Sequence, residues 1–262
     1  MNAKSLFTPI RTLLLAACVA APAIAADTAA PKAPAPKAAP KASDPSVAAP
    51  KTGNKRFFEL HESFLKRAKE GPVGLLFLGD SITEGWRKAP EVWAKYYAKH
   101  NAANFGIGGD RTEHVLWRIA NGELDGINPK VVVLMLGTNN TGANSADEIA
   151  AADKKIVREL RAKLPGSKVL LLAVFPRGPR KGSDGKIDEA DARLKMAKID
   201  AINAELAKLD DGKTVRFLNI NAKFLVDGKI PNDIMPDQLH PNAQGYQIWA
   251  EAMQPLLDEM MR

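Results

Sequence analysis

From residue 57 onwards, short and mostly apolar runs alternate with longer stretches of helical spacing. Short apolar runs are typical of buried strands, and five strand candidates occur, at residues 75–78, 103–105, 131–136, 169–174 and 215–218. Amphipathic stretches predict helices at 57–70, 88–99, 111–120, 145–163, 190–209 and 242–260. Buried strands that alternate with helices are typical of parallel sheets. We therefore predict an α/β fold of three layers, in which helices cover both faces of a five-stranded parallel sheet.

The first 55 residues lack this pattern and divide into two parts. Residues 1–25 combine a positively charged start, a short apolar run and the sequence Ala23-Ile24-Ala25, which is typical of a secretory signal peptide. The apolar run is shorter than the ~20 residues that a membrane-spanning helix needs. Residues 26–55 repeat Ala, Pro and Lys and lack the apolar side chains that form a core, which predicts a disordered linker. The predicted domain therefore covers residues 56–262.

Cys18 is the only cysteine of the chain, and its position is compatible with two cellular locations of the protein. Cleavage after Ala25 would give a mature chain without a thiol, and we then expect a protein exported across the inner membrane to the periplasm. The sequence Leu15-Ala16-Ala17-Cys18 also resembles the bacterial lipoprotein box, in which the cysteine is acylated. In that case we expect a membrane tether through Cys18.

The formal charge of +7 is carried almost entirely by the N-terminal segment. Residues 1–56 hold eight of the 37 basic and two of the 30 acidic residues. The other 29 basic and 28 acidic residues leave the predicted domain almost neutral. Because nucleic-acid binding depends on concentrated positive charge, the composition argues against a nucleic acid as partner.

Three groups of polar residues and glycines follow predicted strands, and a fourth group precedes the last helix. Ser81 follows the first strand, residues 106–110 follow the second, and residues 137–140 follow the third. Asp237 and His240 precede the last helix. Because parallel sheets bind ligands beyond the carboxyl ends of their strands, we expect all four groups at one edge of the sheet.

Ser81, His240 and Asp237 are the residue types that acyl transfer requires. A serine hydroxyl attacks an ester only when a base takes its proton, and histidine titrates near neutral pH. The spacing of Asp237 and His240 allows the carboxylate to turn back onto the imidazole and orient it. The alternatives are that Ser81 closes a turn or caps a helix, and that Asp237 begins a helix before a buried neutral histidine. The other histidines are interpreted as surface or packing residues: His61, His100 and His114.

An acyl-transfer site also needs donors for the oxyanion. The backbone N–H of Ser81, an N–H of the Gly108-Gly109 turn and the side-chain amide of Asn139 are candidates. The glycines have a second interpretation, a tight turn between strand and helix. The sequence around them lacks the complete dinucleotide-binding pattern, Thr83 breaks the nucleophile elbow of ordinary α/β-hydrolases, and no clustered Cys/His metal motif occurs. We therefore predict neither a cofactor nor a metal.

These residues resemble the four signature blocks of the SGNH (GDSL-type) hydrolase family. The blocks are Gly-Asp-Ser at 79–81, Asn-Phe-Gly-Ile-Gly-Gly-Asp at 104–110, Gly-Thr-Asn-Asn at 137–140 and Asp237-x-x-His240. The resemblance covers residues 73–256 and is strongest to the catalytic subunits of the platelet-activating-factor acetylhydrolase IB branch. Ile82 and Asn140 depart from the Leu and Asp of the broader patterns, and the signal peptide departs from the cytosolic animal members.

The resemblance implies a flavodoxin-like SGNH-hydrolase fold without a metal. It makes Ser81 the nucleophile, His240 the base and Asp237 its orienting partner, and it places Ser81, Gly109 and Asn139 in an oxyanion hole. A homodimer is implied by the same branch. Asp80 is interpreted as a residue that holds the loop by hydrogen bonds, and three tryptophans either line the site or pack in the core: Trp86, Trp93 and Trp117. Four arginines either meet an anionic substrate or are solvated: Arg111, Arg118, Arg177 and Arg180.

The expected function is that of a secreted serine esterase that hydrolyses short-chain esters, above all acetyl esters. The substrate is an acylated glycan or a lipid ester such as a lysophospholipid or acetyl-phospholipid. Export favours the glycan, whereas the block at 104–110 favours the lipid. A different class, a non-catalytic glycan-binding module of the cell envelope, is disfavoured because it needs no such set of residues.

Overall fold

The protein is described by a computed structural model that covers residues 43–182 and 184–262. The predicted signal peptide, Cys18 and the predicted linker as far as residue 42 lie outside the described residues.

One sheet of five parallel strands forms the centre of the described chain. Its strands occur in the spatial order β2-β1-β3-β4-β5, with every neighbouring pair parallel. The strands are β1 (Leu75–Gly79), β2 (Ala102–Gly106), β3 (Val131–Met135), β4 (Lys168–Leu172) and β5 (Val215–Leu218). The predicted α/β class and all five predicted strands are confirmed.

Seven α-helices accompany these strands within the described residues. They are α1 (Lys55–Lys69), α2 (Ser81–Glu84), α3 (Pro90–Tyr97), α4 (Thr112–Ala120), α5 (Ala146–Lys163), α6 (Glu189–Ala207) and α7 (Ala243–Met260). Six of them were predicted, whereas the four-residue helix α2 is too short to produce a periodic pattern. In the part of the chain that the structure describes, no helix is long and apolar enough to cross a membrane.

The helices cover both faces of the sheet because successive strand side chains point to opposite faces. Leu76 and Leu78 of β1 belong to a core cluster with side chains of α1, α4, α5 and α6. Leu75 and Phe77 belong to a second cluster with side chains of α3 and α7. The three-layer arrangement therefore follows from strands that carry apolar side chains on both faces.

The strand order reverses between β1 and β3, since the chain moves from β1 outwards to β2 and then back to β3 beside β1. In doubly wound sheets a crevice forms at this point, outside the carboxyl ends of the strands. The segments after β1, β2 and β3 therefore meet at one place, as the flavodoxin-like order predicts.

Residues 43–54 lie on the domain, which corrects the last part of the predicted disordered linker. We call this segment the N-terminal arm. Side chains of α4, of α5 and of the turn before α5 donate to its carbonyl groups, and its Asn54 caps α1 by accepting from the Phe57 N–H at 3.0 Å. The bonds to the carbonyl groups involve the backbone of the arm, so its Ala and Pro composition does not reveal them. The bonds are Thr112 Oγ1 to Pro45 O (2.9 Å), Lys155 Nζ to Ser46 O (2.9 Å) and Asn144 Nδ2 to Ser43 O (3.1 Å).

Candidate active site

Ser81 is the first residue of α2, directly beyond the end of β1. Asp80 is the N-cap of this helix, and its Oδ1 accepts from the Ile82 N–H at 2.9 Å. Burial raises the pKa of Asp80 to about 7. The interpretation of Asp80 as a residue that holds the loop is confirmed, and Ser81 is not needed as the cap. Its side chain is thus available for other contacts.

Helix α2 is held in position from two sides. The buried Tyr246 of α7 donates its hydroxyl proton to the Ile82 carbonyl at 2.7 Å. Asn104 of β2 donates to the Thr83 carbonyl at 2.8 Å. Elements distant in sequence therefore determine where the Ser81 hydroxyl points.

The structure brings Ser81, His240 and Asp237 into one chain of hydrogen bonds. The Ser81 Oγ lies 2.9 Å from His240 Nε2, across 159 residues of sequence. His240 Nδ1 lies 2.7 Å from Asp237 Oδ2. Because a carboxylate only accepts, Nδ1 carries the proton and Nε2 is left to accept from the serine. This is the arrangement in which histidine can act as a base towards a serine.

Asp237 is fixed through both of its carboxylate oxygens. Oδ1 accepts from the backbone N–H groups of His240 at 2.7 Å and Leu239 at 3.2 Å. Oδ2 accepts from the His240 ring and, at 2.9 Å, from Arg180 Nη2. Burial opposes ionisation, but the hydrogen bonds from the His240 backbone and ring, together with the positive charge of Arg180, hold the pKa of Asp237 below its usual value. The carboxylate is therefore ionised at neutral pH. Arg180 contacts this carboxylate rather than serving only as a solvated side chain.

Gly109 and Asn139 lie on the segments that follow β2 and β3. Gly109 has φ +72°, a conformation that favours glycine. Within the described residues, neither its N–H nor that of Ser81 donates to a protein acceptor. Asn139 Nδ2 donates to the Asp110 carbonyl at 2.8 Å, and its second hydrogen faces only Asp80 Oδ2, at 3.4 Å. The N–H groups of Ser81 and Gly109 are therefore available to a ligand, whereas a ligand must draw the second Asn139 hydrogen away from Asp80, a long and therefore weak contact.

The three remaining histidines take no part in this arrangement. His61 Nδ1 lies 3.2 Å from the buried Glu123. His114 Nδ1 accepts from the Arg111 N–H at 2.9 Å, and burial together with nearby cations lowers the pKa of His114 to about 4. Burial also lowers the pKa of His100. Their interpretation as packing or surface residues is consistent with these contacts.

Arg118 corrects the expectation of a solvated side chain, because it is completely buried. It donates to Asp110 Oδ2 at 2.9 Å, to Glu123, and to the carbonyls of Phe105 at 3.1 Å and Gly79 at 3.3 Å. A buried charge requires such partners. They are scattered along the chain, so no local pattern reveals them.

The tryptophans named in the sequence pack against other aromatic rings. Trp86 and Trp249 are buried with ring centroids 4.8 Å apart. Trp93 packs on Phe77 at 4.9 Å, and Trp117 on Phe57 at 5.5 Å. The packing interpretation therefore accounts for all three predicted residues.

Two residues that the sequence did not single out hold the loop that contains Gly109. Glu84 Oε2 accepts from the Gly108 N–H at 2.8 Å. Lys51 of the N-terminal arm donates to the Gly108 carbonyl at 2.7 Å. Glu84 follows Ser81 by three residues, which is a weak signal, whereas Lys51 stands in a repetitive segment that gives none.

A cavity of about 480 Å³ lies beside this site, between α6 and residues 225–230. Arg177 and Gln238 line it, but Ser81, His240 and Gly109 do not. Ser81, His240 and Gly109 therefore lie outside the lining of this cavity. In the described part of the chain, no group of three or more His, Cys, Asp or Glu side chains could hold a metal ion.

Comparisons with known proteins identify the family to which the chain belongs. Residues 77–248 match the GDSL-like lipase/acylhydrolase family. Over 212 residues the chain is 36% identical to the platelet-activating factor acetylhydrolase IB subunit alpha2 of Gallus gallus, covering 80% of this chain and 86% of that protein.

Solved structures share the fold. A GDSL-like lipase from Bacteroides thetaiotaomicron is 21% identical, with a TM-score of 0.59 over 78% of this chain and 97% of that one. A carbohydrate acetylesterase family member from Sinorhizobium meliloti is 15% identical, with a TM-score of 0.55 over 71% and 98% of the two chains. Together with the matched sequence blocks, these findings show that the chain belongs to the GDSL-like lipase/acylhydrolase family, and it is thus a carboxylic ester hydrolase.

Proposed function

We propose that the protein is a serine esterase that removes a short acyl group, above all acetyl, from an alcohol. The observation that carries this proposal is the chain of hydrogen bonds from Ser81 Oγ through the His240 ring to Asp237. His240 is about one quarter exposed, so that a substrate can reach it from solvent.

In the proposed reaction, Ser81 Oγ attacks the ester carbonyl carbon while His240 Nε2 takes the hydroxyl proton. The negative charge that develops on the carbonyl oxygen is stabilised by the N–H groups of Ser81 and Gly109 and by the Asn139 amide. Asp237 orients the ring and stabilises the imidazolium. His240 then gives its proton to the departing alcohol, and the Ser81 acyl ester remains.

Water completes the cycle. A water oxygen attacks the acyl carbon while His240 accepts a proton from that water. The N–H groups of Ser81 and Gly109 and the Asn139 amide stabilise the second oxyanion. The acyl–oxygen bond to Ser81 breaks, Ser81 regains a proton from His240, and the carboxylic acid leaves. No cofactor or metal enters this sequence.

Two findings support acetyl as the acyl group: the relative from Gallus gallus is named an acetylhydrolase, and the neighbour from Sinorhizobium meliloti a carbohydrate acetylesterase. These findings do not distinguish between two alcohol components of the substrate ester, a lipid and a glycan. An acetyl-phospholipid or lysophospholipid hydrolase is the second candidate, favoured by the 36% identity. A non-catalytic glycan-binding module is disfavoured because it has no use for a hydrogen-bonded Ser81 and His240.

We further propose that the protein acts in the periplasm after removal of residues 1–25, with acylation of Cys18 as the alternative. The proposed partners are an ester substrate and a second copy of the chain, without nucleic acid. Mass spectrometry of the mature N-terminus distinguishes cleavage after Ala25 from lipidation.

The activity is tested by release of acetate from a chromogenic acetate ester, followed by a screen of acetylated glycans, acetyl-phospholipids and lysophospholipids. Wild-type protein is expected to turn over, whereas Ser81→Ala and His240→Ala each lose roughly 10³-fold or more of kcat while remaining folded. Folded wild-type protein that releases no acid from any of these esters would overturn the proposal.

A further inference from the structure

The N-terminal arm reaches the Gly109 loop through one side chain. Lys51 Nζ lies 2.7 Å from the Gly108 carbonyl oxygen and 2.7 Å from Asp110 Oδ1. The Lys51 side chain is only 12% exposed, and the Asp110 side chain is completely buried. Lys51 therefore contacts both residues that flank Gly109, with little competition from water.

The Gly108 carbonyl belongs to the same peptide unit as the Gly109 N–H. A trans peptide is planar, so its C=O and N–H point in opposite directions. A cation that holds the Gly108 oxygen thus determines the direction of the Gly109 N–H. It also polarises the peptide and strengthens that N–H as a donor.

The other contacts of this loop leave that peptide plane less constrained. The Asp110 N–H closes the turn on the Ile107 carbonyl at 3.0 Å, but a turn closed in this way admits two orientations of its central peptide. Glu84 accepts the N–H of Gly108, which belongs to the preceding peptide unit. Arg118 binds Asp110 Oδ2 at 2.9 Å but does not contact the Gly108 carbonyl. Among the described residues, Lys51 alone offers this peptide a side-chain partner. Glycine peptides rotate more freely than others, so without Lys51 the Gly108–Gly109 peptide could turn away.

We infer that Lys51 is a positioning residue for the oxyanion hole, and that the N-terminal arm is thus part of the catalytic unit. This inference rests on the proposed function, since it assigns Lys51 a role in the same reaction. Lys51 does not contact the reacting atoms. It acts on them by aiming the Gly109 N–H at the oxyanion that forms on the substrate carbonyl.

The arm offers a matched comparison for this role. Lys155 donates to the Ser46 carbonyl at 2.9 Å and so helps to attach the arm without contacting the Gly109 loop. If the arm only stabilises the domain, Lys51→Met and Lys155→Met should both lower the melting temperature and leave kcat unchanged. If Lys51 aims the peptide, only Lys51→Met should lower kcat.

The experiment measures kcat and KM for a chromogenic acetate ester, together with the melting temperature, on full-length wild-type and variant proteins. Lys51→Met is expected to reduce kcat about 10- to 100-fold with little change in KM, somewhat less than complete loss of an oxyanion donor. Lys51→Arg, which restores a charged donor, is expected to recover most of kcat. Lys155→Met is expected to keep the wild-type kcat.

Lys51→Gln covers the case in which Lys51→Met does not fold. Its side chain is polar but shorter and uncharged, so it lacks the cation that polarises the peptide and is expected to lose kcat in the same way. A folded Lys51→Met or Lys51→Gln protein with the wild-type kcat would overturn the inference, as would an equal loss of kcat in Lys155→Met. A wild-type protein without turnover would instead overturn the proposed function itself, so the two failures are distinguishable.

Discussion

At the scale of single residues, the site is defined by how completely Asp237 is bound. Two backbone N–H groups, the His240 ring and Arg180 occupy its carboxylate. The bound carboxylate thereby orients the imidazole ring, and its negative charge stabilises the imidazolium that forms during the reaction. Replacing it by an amide keeps the shape of the side chain but removes that charge.

Asp237→Asn is therefore expected to lower kcat for acetate esters by about 10² to 10⁴-fold while the protein stays folded. The physical reason is that an amide neither selects the productive ring tautomer nor stabilises the imidazolium. Asp233→Asn is a suitable control, because Asp233 is exposed and contributes only its backbone carbonyl to a hydrogen bond. Equal activities of the two variants would contradict the role given to Asp237.

Residue types and spacing predicted Ser81, Asn139, Asp237 and His240, because their chemistry is visible in the sequence and the parallel sheet brings them to one edge. Lys51 was not predicted, since its function lies in a contact across 57 residues with a backbone carbonyl. The burial of Arg118 was missed for the same reason. Polar contacts between residues far apart in the chain produce no local sequence pattern from which they could be predicted.

At the scale of elements, the site depends on how closely β2 approaches α2. A Cβ on Gly106 would overlap the backbone nitrogen of Glu84 and lie 2.8 Å from the Thr83 carbonyl carbon. Backbone atoms cannot move aside as a flexible side chain does. Helix α2 would have to shift, and Ser81 with it.

Gly106→Ala is accordingly expected to lower the free energy of unfolding by about 1–3 kcal/mol and to reduce esterase activity. Gly166→Ala serves as the control, since a Cβ there meets nothing within 4 Å and the backbone does not require a positive φ. Urea unfolding of both variants measures the difference. A Gly106→Ala protein as stable and as active as Gly166→Ala would show that the approach of the two elements is not limiting.

The elements themselves were predicted well because each strand is apolar at nearly every position and each long helix has a periodic face. Helix α2 was not predicted, since four residues cannot show a helical period. The N-terminal arm was predicted as a disordered linker because its Ala-Pro-Lys composition resembles such segments. The hydrogen bonds between its backbone and α4 and α5 cannot be predicted from amino-acid composition.

At the scale of the whole molecule, a buried acid of α5 makes the stability of the core depend on pH. Asp153 of α5 is 1% exposed, and neither of its carboxylate oxygens has a hydrogen-bond partner within the described residues. Burial, and secondarily the nearby charge of Asp80, raises the pKa of Asp153 well above its usual value. The folded protein therefore keeps this proton to a higher pH than the unfolded chain does.

A group whose pKa is raised on folding makes the folded state less stable as pH increases. The loss begins near the unfolded value, about pH 4, and continues up to the higher pKa in the folded protein. Asp153→Asn, which does not titrate, is expected to flatten the dependence of unfolding free energy on pH and to be the more stable protein at pH above neutral.

Denaturant unfolding from acidic to mildly alkaline pH measures this slope. Glu62→Gln is the control, because Glu62 is an exposed residue of α1 and its removal should leave the slope nearly unchanged. The assignment of Asp153 as a buried protonated acid would be wrong if the slope of Asp153→Asn matched that of the wild type.

The central claim is that Ser81 is a nucleophile activated by His240, and phosphonylation tests it most directly. A fluorophosphonate modifies an activated serine covalently, and peptide mass spectrometry identifies which serine carries the group. The account predicts one phosphonyl group per chain, on Ser81, in the wild type, and a far slower reaction in His240→Ala. A wild-type protein that hydrolyses acetate esters while Ser81 stays unmodified, or that carries the label on another serine, would contradict it.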